Sequence, residues 1–138
     1  MSEENVEVVR RVLTTRQGEM ATGNEIADEI ADLLDSDVRL DLSERVFNPA
    51  IYEGYEGIAR WRADISDVWD SYRTEPEEFF DGDEVVVVFT RESGRGKGSG
   101  VEVDRSIAFL CRLRAGRVSE IRLYRDRERA LRDAGLAE

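Results

Sequence analysis

Histidine is absent from this 138-residue chain. That removes the usual general base near neutral pH, the His-activated serine or cysteine nucleophile and nearly every common zinc site. Cysteine is almost missing as well. Cys111 stands alone, so no disulfide can form within the chain. Its neighbours Phe109, Leu110 and Leu113 make it read as a small buried hydrophobe; a reactive thiol would need a basic or dipolar activator nearby. Basic residues are outnumbered by acidic ones, 20 against 31, for a formal net charge of -11. Nucleic acid and anionic membranes are polyanions bound largely through clustered Lys and Arg, so neither is expected as a partner, and the acidic excess is expected to serve solubility. No apolar run approaches the roughly 20 residues that span a bilayer. The start, Met1-Ser2-Glu3-Glu4, lacks the basic and apolar regions of a signal peptide. A cytoplasmic protein is the expectation, with chemistry limited to carboxylates, arginines, tyrosines or a borrowed cofactor. No metal and no resident cofactor is called for.

What is present is an order. Residues 1–138 are the size of one domain, and a chain this long buries about 68% of its unfolded surface. Val6, Val9, Leu13 and Met20 recur at near-helical spacing and predict a helix from about residue 4 to 21. Asn24 is a fair cap for a second helix, with Ile26, Ile30, Leu33 and Leu34 on one face. Asp35-Ser36-Asp37 ends it. Val38 to Leu42 alternates like a short strand, and a loop runs from Ser43 to about Glu53. Gly54 and Gly57 bracket the start of the clearest helix, whose apolar stripe is Ile58, Trp61, Ile65, Val68 and Trp69.

Beyond Tyr72 the period becomes two. Strands are predicted near 73–80, 83–92, 101–113 and 118–125, with Asp81-Gly82 and Ala115-Gly116 as turns. The run Gly94 to Gly100 reads as a flexible connection. It lacks the lysine followed by serine or threonine of a phosphate-binding loop, and a strand follows where a helix should begin. Asp126 caps a last helix carrying Ala130 and Leu131. Helices followed by consecutive strands predict an α+β fold, with N-terminal helices packed on a curved, mostly antiparallel sheet and a short C-terminal helix.

Several passages carry a likeness to a known family. They are Leu34-Asp35-Ser36-Asp37-Val38, then Tyr52-Glu53-Gly54-Tyr55-Glu56-Gly57-Ile58-Ala59-Arg60-Trp61, then Arg114-Ala115-Gly116-Arg117-Val118, and finally Tyr124-Arg125-Asp126-Arg127 with Ala130-Leu131. In these the chain resembles the SnoaL-like branch of the NTF2-like superfamily, which includes polyketide cyclases and ketosteroid isomerases. The resemblance implies a cone-shaped fold, a pocket between helices and sheet, and frequent dimers. In ketosteroid isomerases the general base follows the first strand, and that register lands here on Leu42, one residue past Asp41. A steroid isomerase is therefore not implied.

The candidate site residues follow from alternation. Val85, Val87, Phe89 and Arg91 share one strand face, Arg122 shares one with Tyr124, and Ile107, Phe109 and Cys111 form an apolar face between them. An arginine on a covered face must find an anion, either a protein carboxylate or a ligand. Asp104, Glu120 and Asp41 are the possible internal partners. Trp61 and Trp69 are expected in the pocket wall or the core, and Tyr52 and Tyr55 at its entrance or as an aromatic plug. The expected function is binding of a small, mostly apolar organic molecule. It would be accompanied by cofactor-independent isomerisation, cyclisation or hydrolysis if Asp41 or Asp104 serves as base beside Arg91, Arg122 or Tyr124. The other class is a non-catalytic ligand-binding or accessory module. A homodimer is expected on the outer face of the sheet, where Ala108 and Leu110 would add apolar area if they point outward.

Overall fold

The computed structural model of the chain describes residues 2–14, 31–44, 49–82 and 84–136. Helix α1 (Ser2–Thr14) precedes a short 3-10 turn (Ala31–Leu33) and strand β1 (Leu34–Asp41). Strand β2 (Ile51–Glu53) leads into helix α2 (Gly54–Val68). Four strands follow, β3 (Trp69–Asp81), β4 (Val85–Gly96), β5 (Glu102–Arg114) and β6 (Arg117–Tyr124), and helix α3 (Arg127–Asp133) comes last. The sheet order is β2-β1-β6-β5-β4-β3. All neighbours are antiparallel except β1 and β6, which run parallel. The fold is the expected α+β arrangement.

Alternation assigns the two faces of the sheet. Val38, Leu40, Val86, Val88, Ile107, Phe109, Cys111, Ile121 and Leu123 are buried together on the concave face, with Val9 of α1 and Ile58 of α2. The opposite, outer face holds a second cluster. There Val85, Val87, Ala108, Leu110 and Tyr124 are buried under Ala130, with Phe80, Phe89, Leu131 and Leu136 packed around them. Each face thus removes its own apolar area from water. Ala108 and Leu110 do point outward, but α3 of the same chain covers them, so they offer no open apolar surface for a second copy.

Several boundaries differ from the sequence reading. The second helix lies mostly outside the described residues, and Leu34 to Asp37 belong to β1 rather than to a helix end. Residues 51–53 pair with β1 as a strand, not a loop. Trp69 begins β3 instead of closing the helical stripe. Gly94 and Gly96 lie within β4, not in a flexible connection. The reason is a cross-strand contact: the Trp69 ring lies so close over Gly94 that a Cβ there would sit 2.8 Å from it and 2.4 Å from the Ser71 carbonyl oxygen. The tip beyond is tied down too, because the Lys97 N–H donates to the Val68 carbonyl at 2.8 Å and so serves the end of α2. The Ala115-Gly116 turn is as expected, both residues taking positive φ (54° and 78°), which a two-residue hairpin loop demands. Asp126 caps α3, its carboxylate accepting from the Glu128 and Arg129 N–H groups.

Candidate functional site

The long strands β3, β4 and β5 outrun β6. Pairing of β5 with β6 begins at Ala108 and Tyr124, so residues 102–107 extend beyond it. In this three-stranded extension the pairing sets up rows across the sheet: Tyr72, Gly94 and Val103; then Thr74, Glu92 and Arg105; then Pro76, Thr90 and Ile107. These rows continue the concave face, because Thr90 and Glu92 alternate with Arg91 and fall in line with Val86 and Val88.

Glu92 is the centre of this region's hydrogen bonding. It is only 2% exposed. One carboxylate oxygen accepts from Arg105 Nε at 2.6 Å and the other from the Tyr72 hydroxyl at 2.8 Å. Arg105 also reaches over the free edge of β5, donating through Nη2 to the Glu44 carbonyl at 3.5 Å. The Tyr72 ring is held in turn by Trp69, with ring centroids 4.9 Å apart. A charged group in an apolar setting must be paired and hydrogen-bonded to persist there, and Glu92 meets both conditions. Thr90, buried beside it, spends its hydroxyl on the Val88 carbonyl at 3.3 Å.

The ten residues singled out from sequence do not form one site. Tyr52, Trp61, Trp69 and Phe109 lie on the concave side. Tyr52 is buried and donates to Asp64 of α2 at 2.5 Å, which makes it a plug between β2 and α2. Trp61 packs half-buried against the concave cluster. Phe89, Arg91, Arg122, Tyr124, Asp41 and Asp104 are on the outer side. The expected grouping of Arg91 with Phe89, Phe109, Trp61 and Tyr124 is therefore corrected. The alternation was sound for each strand, but Phe89 and Arg91 have the opposite parity to the row that faces the helices.

On the outer side the acids and bases neutralise one another. Arg91 makes two hydrogen bonds to Asp104, at 2.7 and 3.1 Å, between side chains 46% and 60% exposed. The Arg91 guanidinium holds the Asp104 carboxyl below its usual value. Burial alone would raise the Asp41 carboxyl. Hydrogen bonds from the Ser43 hydroxyl and N–H, with Arg122 at 3.9 Å, outweigh it and hold the group low. Arg122 and Arg129 flank the Tyr124 ring at 4.9 and 5.0 Å. Burial, then a hydrogen bond to Asp133, pushes the Tyr124 phenol up to about 12. Arg127 anchors α3 over Phe89, donating to the Ile107 and Thr90 carbonyls at 3.0 Å each and to Glu77. Glu44 joins the turn after β1 to this helix, accepting from the Arg125 N–H at 2.8 Å and from Arg129. A groove of about 690 Å³ lies at the far end of the three long strands. Its lining includes Arg73, Ser93, Arg95, Glu102 and Asp104, and Arg95 and Glu102 pair across it at 2.8 Å.

Cys111 is buried on the concave side and its thiol is pushed up to about 12 by burial, with Glu120 adding to the rise, so it is an inert packing group. Among the described residues no three His, Cys, Asp or Glu side chains come together as a metal site. Glu92 and Arg105 escaped the sequence reading. The signal was present, since Val86, Val88, Thr90 and Glu92 alternate on β4 as Arg105, Ile107, Phe109 and Cys111 do on β5, and the two polar ends carry opposite charge. Choosing the other parity of β4 hid it.

This architecture is shared with solved structures. An NTF2-like protein from Burkholderia xenovorans LB400 superposes with a TM-score of 0.74 at 22% identity, covering 97% of each chain. A protein assigned as a SnoaL-like polyketide cyclase from Jannaschia sp. CCS1 gives 0.74 at 23% identity, covering 99% of this chain and 94% of that one. A protein with a ketosteroid isomerase-like fold from Catenulispora acidiphila DSM 44928, solved with trimethylamine, gives 0.65 at 17% identity over 99% and 95%. At such identities the likeness establishes the fold alone. No curated protein matches the sequence significantly. The SnoaL-like domain model matches residues 9–121, most of the chain, and the protein belongs to that family within the NTF2-like fold.

Proposed function

We propose that this protein is a small-molecule-binding domain whose concave face holds a small, mostly apolar organic ligand, with the ligand's polar end at Tyr72, Glu92 and Arg105. One observation carries the reading. An acidic side chain 2% exposed stands where the apolar rows of the concave face give way to Thr90, Thr74 and Arg105, and its hydrogen-bonding partners hold it in place. Apolar lining with a few convergent polar groups is the usual make-up of a ligand site. Membership of a family of small-molecule binders, cyclases and isomerases supports the same class.

Binding without turnover fits the geometry better than proton transfer. Asp41 and Asp104, the bases expected from sequence, are turned away from the concave face and engaged by Ser43 and Arg91. Glu92 has both oxygens already accepting from the protein. The test is a thermal-shift panel of small apolar compounds with neutral, acidic and basic polar ends. A binder raises the melting midpoint of the wild type, loses part of that effect in Glu92→Gln, keeps it in Arg91→Met, and is recovered unchanged by mass spectrometry. No binder in the panel, or loss of binding in Arg91→Met alone, overturns the reading.

A homodimer also belongs to this proposal. The outer ends of β3, β4 and β5, with Arg73, Arg91 and Arg95 exposed among carboxylates, remain for a second copy, and such a contact would be polar. Light scattering at micromolar concentration should give a dimer that weakens with added salt; a monomer would remove it. No helix among the described residues is long and apolar enough to cross a membrane.

A further inference from the structure

From Arg105 we infer that the ligand is an organic acid, an apolar or aromatic body ending in a carboxylate or a comparable planar anion. The inference rests on the binding function proposed above and deepens it. Arg105 presents five N–H donors in a flat fork. Its Nε is taken by Glu92 from the interior side at 2.6 Å, and Nη2 makes one long contact, 3.5 Å, to the Glu44 carbonyl. Nη1 has no partner among the described residues. The Glu92 side chain is 2% exposed while that of Arg105 is 20% exposed, so the guanidinium is the part of the pair that meets the solvent side.

This arrangement has a chemical direction. Glu92 uses the Nε edge and leaves the Nη edge, which matches the two oxygens of a carboxylate in a bidentate pair. Glu92 is a positioning residue here: it fixes the plane of the fork, and Tyr72 fixes Glu92. Trp69 packs on the Tyr72 ring and Tyr72 holds Glu92, so this aromatic pair braces the fork from behind. A neutral amide of equal shape can accept from only one oxygen. An ammonium has no acceptor for the Nη hydrogens and cannot pair with the fork at all.

The experiment uses the full chain and three matched probes: 4-phenylbutyrate, 4-phenylbutanamide and 4-phenylbutylamine, titrated by calorimetry. Trimethylamine is a fourth, small-cation arm. The expected result is an acid that binds at least about tenfold more tightly than the amide, a ratio worth roughly 1.4 kcal/mol, with no measurable binding of either amine. Arg105→Lys keeps a positive charge beside Glu92 but loses the flat fork, and it should bring the acid-to-amide ratio close to one while the amide's own affinity changes little. Folding of each variant is checked by circular dichroism. Equal binding of acid and amide to the wild type overturns the acid assignment and leaves the binding function standing. Tighter binding of an amine overturns it in the opposite sense. Arg105→Lys, folded, with an undiminished acid-to-amide ratio removes Arg105 from recognition. No binding of any probe, joined to failure of the wider thermal-shift panel, overturns both readings together.

Discussion

Two ion pairs stand side by side on β4 and β5, one on each face of the sheet. Glu92 and Arg105 meet at 2.6 Å on the concave face, Arg91 and Asp104 at 2.7 Å on the outer one. Their geometry is nearly the same and their setting is opposite. The inner carboxylate is 2% exposed, whereas both outer side chains stand well out in water. Water screens the outer pair and solvates either partner when the other is removed. On the inner face water is shut away from Glu92 and does not take the place of a lost cation. The contrast teaches that contact distance says little about what a pair does; burial decides whether it is a structural anchor or a solvated surface feature.

The largest expected effect strikes both faces together. The Cys111 thiol on the concave side and the Tyr124 phenol on the outer side are both pushed up to about 12, from ordinary values of 9.0 and 10.0. A raised acid stabilises the folded state fully below its unfolded value and ceases to as pH rises through its folded one. Stability should hold to about pH 9 and then fall steeply toward pH 12, ending in unfolding, with tyrosinate absorbance appearing together with loss of circular dichroism. Tyrosinate that appears well before unfolding would mean that α3 leaves Tyr124 first, which separates the faces.

Next in size is Arg105→Met, which leaves Glu92 buried without its cation and should cost about 3–5 kcal/mol in denaturant midpoint analysis. Gly94→Ala forces a Cβ against the Ser71 carbonyl and the Trp69 ring, and overpacking of this kind costs about 1–3 kcal/mol. Asp126→Ala removes the cap that starts α3 and should cost about 1 kcal/mol. The smallest effect is Arg91→Met on the outer pair, whose melting midpoint should match the wild type within scatter. An equal loss from Arg91→Met and Arg105→Met would erase the distinction between the faces.

The succession of elements was legible because each signal was local. Periods of 3.6 and 2, the Ala115-Gly116 turn and the Asp126 cap are written in neighbouring residues, and β4, β5, β6 and α3 appear close to where those signals put them. The face each strand turns to the helices was not. Two-residue alternation gives two sets and no rule for choosing between them. On β4 both sets begin with valines, and Phe89 made the outer one look like the pocket. What decides is α3, which returns from the end of the chain to cover Val87, Ala108 and Leu110. Trp69 was misplaced for a related reason: it follows the helical stripe in sequence, yet its ring is needed over Gly94, a contact between residues 25 positions apart by their numbers.

The most direct test of which face recognises a ligand is nitrogen-15 NMR of the arginine side chains during titration with 4-phenylbutyrate. The Nε–Hε signal of Arg105 should be sharp before addition, because Glu92 holds it in a buried hydrogen bond, and should move progressively as the acid binds. Signals of Arg91 and Arg95 on the outer face should stay where they are. Movement of Arg91 or Arg95 with Arg105 unmoved would place the ligand on the outer groove and contradict the account.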